Sequence, residues 1–398
     1  MLAFFVALAL PQGPAPIDLD AVLDAAPSMT AHAAILKAPA EHRLQILVGV
    51  PVTGDDGRTT LVRSRLGDPK QYFYPASSVK LCAALALLLE LDRLNAANGT
   101  AHGLDSEWRI GTRFDGDAVF DRDASNLDGG RATIRHDLRK MLLVSDNLAY
   151  NHCLEVLGAD GLNKAMWGAG MRSTRLWHRL SEAHTLQENL QTRPVTLRTG
   201  EVVTELPARE ASVELSNEAF TGLQLGTGYM SDGELVATPM SFAQKNAISL
   251  EDLQDVLVEV VRPEIDTGKP GFPGLTLAQR RFLVSTLGEL PRESDNPHFD
   301  PDKVPDNACK WILTGVRRVI PAEHLRVYDK IGRAYGFTTE NAYVEDTRTG
   351  RGFFFAMVLY TNPDGVLNDD RYGYEEIAAP FFDDVGELIT RVVFAAPR

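Results

Sequence analysis

The sequence predicts an α+β fold, an antiparallel sheet flanked by helices beside an all-helical lobe. Strand patterns sit near both ends of the chain, at 44–51 and 59–65 and again at 325–331, 341–347 and 352–360. The middle is mostly helical in periodicity. One sheet assembled from both ends, with a helical lobe inserted between, accounts for that order and leaves a cleft between two lobes. At 398 residues, 44% hydrophobic and 24% charged, the chain has an ordinary globular composition and enough length for a large core.

The elements follow in order. Residues 2–10 are an apolar run too short to cross a bilayer. The run looks like the hydrophobic part of a secretory signal before the breaker segment 11–16, so 1–17 is read as a leader and the protein as periplasmic or secreted. The usual basic residues before it are missing, which leaves open a late start or a terminal strand or helix. Residues 18–37 carry Leu19, Val22, Leu23 and Ala26 at helical spacing. The turn Gly54-Asp55-Asp56-Gly57 joins the first two strands.

Pro75 brings the chain in extended, and an apolar helix starts soon after it. Residues 100–130 read as loop. Helical patterns resume at 134–143, 147–157 and 159–168, with Gly158 and Gly170 at cap positions. The polar stretch 181–237 reads as a surface loop or hairpin, an insertion at about 183–235. Ser249 with Asp252 and Thr276 with Gln279 open helices at 250–262 and 277–287. A helix at 380–394 closes the chain. This assigns 18–70 and 308–398 to the sheet lobe and 71–307 to the helical lobe.

Bulk chemistry excludes several functions. A net charge of −14 without a basic patch argues against nucleic acid and against attachment to an anionic membrane. No second segment is long and apolar enough to span a bilayer, so no stable membrane insertion is expected. Cys82, Cys153 and Cys309 are too few and scattered for a disulfide framework, though one pair could form. The nine histidines include no H-E-x-x-H or other paired-ligand spacing, so neither metal nor cofactor is expected.

The chemistry is concentrated in three short stretches. In Ser77-Ser78-Val79-Lys80 a hydroxyl and an amine stand three residues apart at the head of the apolar helix, on one face. A serine needs a neighbouring base to become nucleophilic, and a desolvated lysine beside another cation can supply one. S-x-x-K arises about once by chance in a chain this long, so alone it is equally a helix cap with a surface lysine. Ser145-Asp146-Asn147 falls between two helices. Each residue is a good N-cap. As chemistry, Ser145 would relay a proton, Asn147 would hold a substrate carbonyl and the Lys80 ammonium, and Asp146 would bond the loop backbone. Lys330-Ile331-Gly332-Arg333 ends a strand. Lys330 there is a solvated strand residue or a positive charge aimed at Ser77 and Ser145. Gly332 leaves room for substrate along the strand, and the Arg333 N–H with the Ser77 N–H would form an oxyanion hole.

S-x-x-K, S-D-N and K-[T/S]-G, in that order, resemble the signature of class A serine β-lactamases and penicillin-binding proteins. Tyr74-Pro75-Ala76-Ser77-Ser78-Val79-Lys80-Leu81, Val144-Ser145-Asp146-Asn147-Leu148-Ala149, Leu157-Gly158-Ala159-Asp160-Gly161-Leu162 and Thr174-Arg175-Leu176 carry the resemblance, which runs over about 20–395. It implies a β-lactamase-like fold and an acyl-enzyme on Ser77. The expected substrates are β-lactams, then peptidoglycan-like peptides or small esters, handled by a monomer. The alternatives are a DD-peptidase, transpeptidase or esterase on the same fold, or a non-catalytic binding protein.

Two departures stand out. Ile331 replaces the third-motif hydroxyl that usually helps bind a β-lactam carboxylate, with Arg333, Thr338 or Thr339 as candidates to compensate. Counting from Thr174-Arg175-Leu176 puts Leu180 where the family's omega-loop glutamate belongs. Glu182 is the nearest carboxylate and the candidate deacylating base, with Glu188 next, and neither has the Glu-x-x-Leu-Asn context.

Overall fold

A computed structural model describes residues 15–395. The expected leader at 2–10 lies outside these residues. The chain enters through helix α1 (Leu19–Ala25) and α2 (Ala33–Lys37), with a 3-10 turn at Pro27–His32 between them. The single helix expected at 18–37 is therefore broken, because Pro27 has no N–H to continue it.

Strands β1 (Gln45–Thr53) and β2 (Thr59–Leu66) form the first hairpin. Helix α3 (Lys80–Asn98), β3 (Glu107–Ile110), α4 (Ile134–Leu143) and α5 (Asn147–Gly168) follow. The two helices expected at 147–157 and 159–168 stack as α5 across a break at Gly158 (φ 61°), a backbone conformation that favours glycine. Next come α6 (Leu186–Asn189), β4 (Val195–Thr199), β5 (Val202–Leu206), β6 (Gln224–Leu225), β7 (Gly228–Ser231), β8 (Glu234–Val236) and β9 (Met240–Ser241). The chain ends with α7 (Leu250–Val261), β10 (Ile265–Asp266), α8 (Leu277–Gly288), α9 (Leu313–Arg317), β11 (Leu325–Asp329), β12 (Gly332–Ala334), β13 (Phe337–Asp346), β14 (Arg351–Tyr360), β15 (Val366–Leu367) and α10 (Ala379–Ala395).

The main sheet has seven strands in the order β10-β2-β1-β14-β13-β11, with β12 also on β13. All its pairs are antiparallel except β10 with β2. Both chain ends contribute, as the strand order in the sequence implied. One face packs on α10 and α9 through Val344, Phe353, Phe355, Phe381 and Ile389. The other packs on α7 and α3 through Tyr343, Phe354, Leu253 and Leu85. Helix α3 is buried nearly all round, with Leu81, Leu85, Leu87 and Leu88 each at most 1% exposed. Each such leucine contributes roughly 2 kcal/mol.

Helix α7, placed in the helical lobe by the sequence, lies directly on the sheet. Gln254 Nε2 donates to Leu47 O at 3.0 Å and Asn341 Nδ2 to Leu253 O at 2.8 Å, while Arg63 of β2 pairs with the buried Asp255. The helical lobe carries a three-stranded sheet, β3-β4-β5, beside its helices.

The stretch 181–237, read from sequence as a surface loop or hairpin, is woven into the molecule. Val195, Leu197 and Leu225 are core residues, and β7 pairs with β15 beyond the main sheet. Its polar residues misled because they are satisfied internally. Arg193 pairs with the buried Glu155 of α5, which also takes Arg179 from just before the stretch.

Candidate active site

The first motif lies on a 3-10 turn, Ala76–Val79, that runs into α3. Ala76 is held at φ +47°, a conformation costing about 1–3 kcal/mol in a residue with a Cβ. That bend leaves Ser77 half-buried at the cleft and turns Ser78 inward, where its hydroxyl donates to Pro75 O at 2.7 Å. Ser77 is thus the one of the pair that lines the cleft.

Lys80, fully buried, reaches the second motif. Its Nζ donates to Ser145 O, to Ser145 Oγ at 3.2 Å and to Asn147 Oδ1 at 2.6 Å. From the far side, Lys330 Nζ donates to Ser145 Oγ at 2.9 Å and to Ile331 O at 3.1 Å. One hydroxyl therefore bridges two amines from opposite lobes. Ser145 is at φ +64°, which swings its side chain into that position, and Asp146 caps α5 by accepting from Ala149 N at 2.8 Å.

Burial, reinforced by the Lys330 charge, pushes the Lys80 amine well below its ordinary pKa, with Asp146 opposing. Burial likewise pushes Lys330 down to about 8, against Cys309, Asp329 and Glu340. The pair therefore has access to the free-amine form of one partner near neutral pH.

The third motif sits on the edge strand. Leu325 opposite Asp346, Asp329 opposite Ala342 and Gly332 opposite Thr339 preserve one register, so β11 and β12 form a continuous edge along β13. Lys330 N donates to Asn341 O at 3.0 Å. By antiparallel alternation Lys330, Gly332 and Ala334 then exchange bonds with β13, while the N–H of Arg333 points outward. Gly332 is required by contact. A Cβ there would lie 2.3 Å from Pro75 O and 3.2 Å from Ser77 N, so the strand edge rests on the Ser77 turn. An outward Arg333 N–H beside that turn has the placement of an oxyanion donor.

Ser77, Asn147, Glu182 and Arg333 line one cleft of about 640 Å³. A groove of about 700 Å³ between α7 and α8 holds none of the motif residues. Thr338 and Thr339 are 1% and 0% exposed and do not line the cleft, so neither compensates for Ile331. The Arg333 guanidinium pairs with Glu375 at 2.7 Å and stacks on Trp311.

The Ω segment is closed at its neck by reciprocal backbone bonds between Arg175 and Ala247, both 2.8 Å. Leu180, at the counted glutamate position, is buried and held on both sides of its peptide by Asn151. Glu182 is bonded by Asn151 Nδ2 at 2.9 Å, Arg193 at 3.0 Å and His184 at 3.1 Å. Burial would raise its pKa, but the Asn151 hydrogen bond and the Arg193 charge outweigh it and hold the carboxyl below its usual range. Lys80, by contrast, bonds only to Ser145 and Asn147. Glu188 instead closes a capping box with Thr185 on α6.

Sequence reading missed several residues here. Asn151 and Arg193 orient Glu182. His178 stacks on Tyr74 at the cleft wall, and burial pushes its pKa down to about 4. Cys82, Cys153 and Cys309 are all free thiols, so no pair forms. Among the described residues no group of three His, Cys, Asp or Glu is placed to hold a metal, and no helix is long and apolar enough to cross a membrane.

The description of the β-lactamase enzyme family matches residues 64–208, which span the first two motifs and the start of the Ω segment. No curated protein sequence matches the chain. Among solved structures, a β-lactamase from Burkholderia ambifaria is 18% identical with a TM-score of 0.50, covering 92% of this chain and 99% of that one. A β-lactamase from Sphaerobacter thermophilus is 13% identical with a TM-score of 0.50, covering 96% of this chain and 99% of that one. At such identities the likeness is one of fold. The chain therefore has the fold of the serine β-lactamases and penicillin-binding proteins, and its residues 64–208 match the β-lactamase enzyme family.

Proposed function

We propose that the protein is a serine hydrolase that forms an acyl-enzyme on Ser77, with β-lactam-type cyclic amides as its substrate class. The observation that carries this reading is the bridge from Lys80 through Ser145 Oγ to Lys330. Ser77 Oγ attacks the amide carbon and passes its proton to the Lys80 amine. The Ser77 and Arg333 N–H groups hold the oxyanion. When the C–N bond breaks, Ser145 donates to the leaving nitrogen and is reprotonated from Lys80, and Asn147 and Lys330 keep the relay in place.

Hydrolysis of the resulting ester is the slow step. Glu182 is the carboxylate available to activate water from the Ω side, and its ion pair with Arg193 and low basicity make it a weak base. That feature favours a second reading, a penicillin-binding peptidase or transpeptidase acting on peptidoglycan-like peptides, in which the ester persists. A periplasmic or secreted location and a monomeric state fit either reading.

The test is mass spectrometry after exposure to a penicillin, paired with turnover of a chromogenic cephalosporin. A mass increase confined to wild type and lost in Ser77→Ala is expected. Decay of the adduct within minutes would favour the lactamase, and persistence over hours the peptidase. Absence of any adduct on the wild type would overturn the acyl-enzyme reading.

A further inference from the structure

Behind the third motif lie three charged side chains that the proposed chemistry does not use. They are Lys310, just before α9, Asp329 at the end of β11, and Glu340 on β13, and none is more than 3% exposed. Strand alternation puts Asp329 on the face of β11 that Leu325 and Val327 turn toward α9 and α10. Lys330, on the opposite face, reaches Ser145. The three charges therefore sit in an apolar layer directly behind the strand end that carries the Lys330 amine.

Their contacts tie that strand end down. Lys310 Nζ donates to Leu287 O at 2.8 Å, to Val327 O at 2.8 Å and to Asp329 Oδ1. Leu287 lies in the last turn of α8, where carbonyls lack helical partners. The peptide groups of Val327 point away from β13, by the same alternation that bonds Lys330 N to Asn341 O. Lys310 thus takes the place of a missing neighbouring strand. Glu340 accepts from Ile312 N at 3.3 Å and from Asn341 N at 3.2 Å. Asp329 and Glu340 each immediately precede one member of the Lys330–Asn341 backbone pair.

The Asp329 and Glu340 carboxyls are in hydrogen-bond contact, and Asp329 Oδ2 receives no other donor. Two buried carboxylates in contact do not both ionise. Burial and the Asp329 charge push the Glu340 carboxyl well above its ordinary range, so Glu340 carries the proton and donates it to Asp329. The ion pair with Lys310 balances the charge that remains. Stability alone does not account for the set, because apolar side chains of similar volume often serve a buried layer as well or better. What the set supplies is a fixed geometry for one strand end.

We propose that Lys310, Asp329 and Glu340 form a clasp, neutral as a set and holding one proton, that positions Lys330 for its bond to Ser145. The inference rests on the acyl-enzyme reading. None of the three lines the cleft, so each is a positioning residue.

The experiment measures acylation of Ser77 by a penicillin in wild type, Glu340→Gln and Glu340→Leu, with the folded fraction of each checked by chemical unfolding. Glutamine keeps a donor toward Asp329 and leucine removes it. The expected result for Glu340→Leu is a limiting rate about tenfold lower at an unchanged half-saturating concentration, with Glu340→Gln within about threefold of wild type. The double variant Lys310→Met with Asp329→Asn keeps the layer neutral but frees the strand end. It should show the same loss of limiting rate, and it carries the test if Glu340→Leu does not fold. Wild-type acylation by either folded variant, or a Glu340→Gln as slow as Glu340→Leu, would overturn the clasp and leave the acyl-enzyme reading standing. If the wild type is acylated neither by the penicillin nor by a fluorophosphonate, the reading and the inference fall together.

Discussion

Two regions of the cleft are built on opposite principles. Around the three motifs, short segments from both lobes converge on a single hydroxyl, and each buried amine meets its acceptors within 3.2 Å. Across from them, the Ω excursion surrounds its one cleft-lining glutamate with Arg193, His184 and Asn151. The first arrangement lowers the proton affinity of the Lys80 amine. The second stabilises a carboxylate as an ion and makes it a poorer base. The difference teaches that one cleft can weaken the basicity of an amine on one wall and fix a carboxylate as an ion on the other.

The comparison can be broken most forcefully at Glu155. It is the buried counter-ion that Arg179 and Arg193 share, so Glu155→Ala strands the Arg179 guanidinium in the interior, while Arg193 keeps Asp117 and Glu182. Chemical unfolding should show a loss on the order of 3 kcal/mol. A loss below about 1 kcal/mol would mean that the Ω segment is not clamped there.

Gly332→Ala tests the other region. The added Cβ meets Pro75 O and Ser77 N, so the strand edge or the nucleophile turn must shift. Acylation of Ser77 should fall about a hundredfold, as expected for a displacement near 1 Å. An unaffected rate would show that β12 does not support the nucleophile.

The pH profile of acylation sharpens the contrast. The proposed acylation uses Lys80 as free amine and Lys330 as ammonium. Its rate should rise as Lys80 loses its proton and fall above about pH 8, where Lys330 loses its own. Lys330→Ala should remove the alkaline fall. It should also move the acidic limb to higher pH, because the neighbouring charge that depresses Lys80 is gone. A profile unchanged in that variant would uncouple the two amines.

The smallest effect belongs to Glu182→Gln, which should alter loss of the acyl group by no more than about threefold, since the carboxylate is already committed to Arg193. A loss of a hundredfold, measured as lengthened adduct lifetime, would restore Glu182 to the role of an efficient base.

Much of the motif region was legible without coordinates, because its chemistry is local. A serine and a lysine three residues apart at a helix start must share a face, and Ser145-Asp146-Asn147 must open the helix it caps. The sheet from both chain ends was legible for the same reason, since strand period and turn residues act over a few positions.

The Ω excursion was not legible. Its arginines and glutamates have the composition of a solvated loop, and nothing in their order says that Arg179, Glu155 and Arg193 meet in the interior. The placement of α7 against the sheet and the break of 18–37 at Pro27 also depended on contacts or competing local signals that periodicity does not resolve.

By itself, then, the order of residues determined the fold class and marked Ser77 and Lys80 as the candidate nucleophile and base, while the contact that requires glycine at 332 is tertiary. Only the tertiary structure decided which charges are spent on one another and which remain free. Ion pairing depends on distance through space, and a chain that returns to the same point after dozens of residues leaves no periodic trace of doing so. That is why Glu182, singled out by its position along the chain, turns out to be held by Arg193.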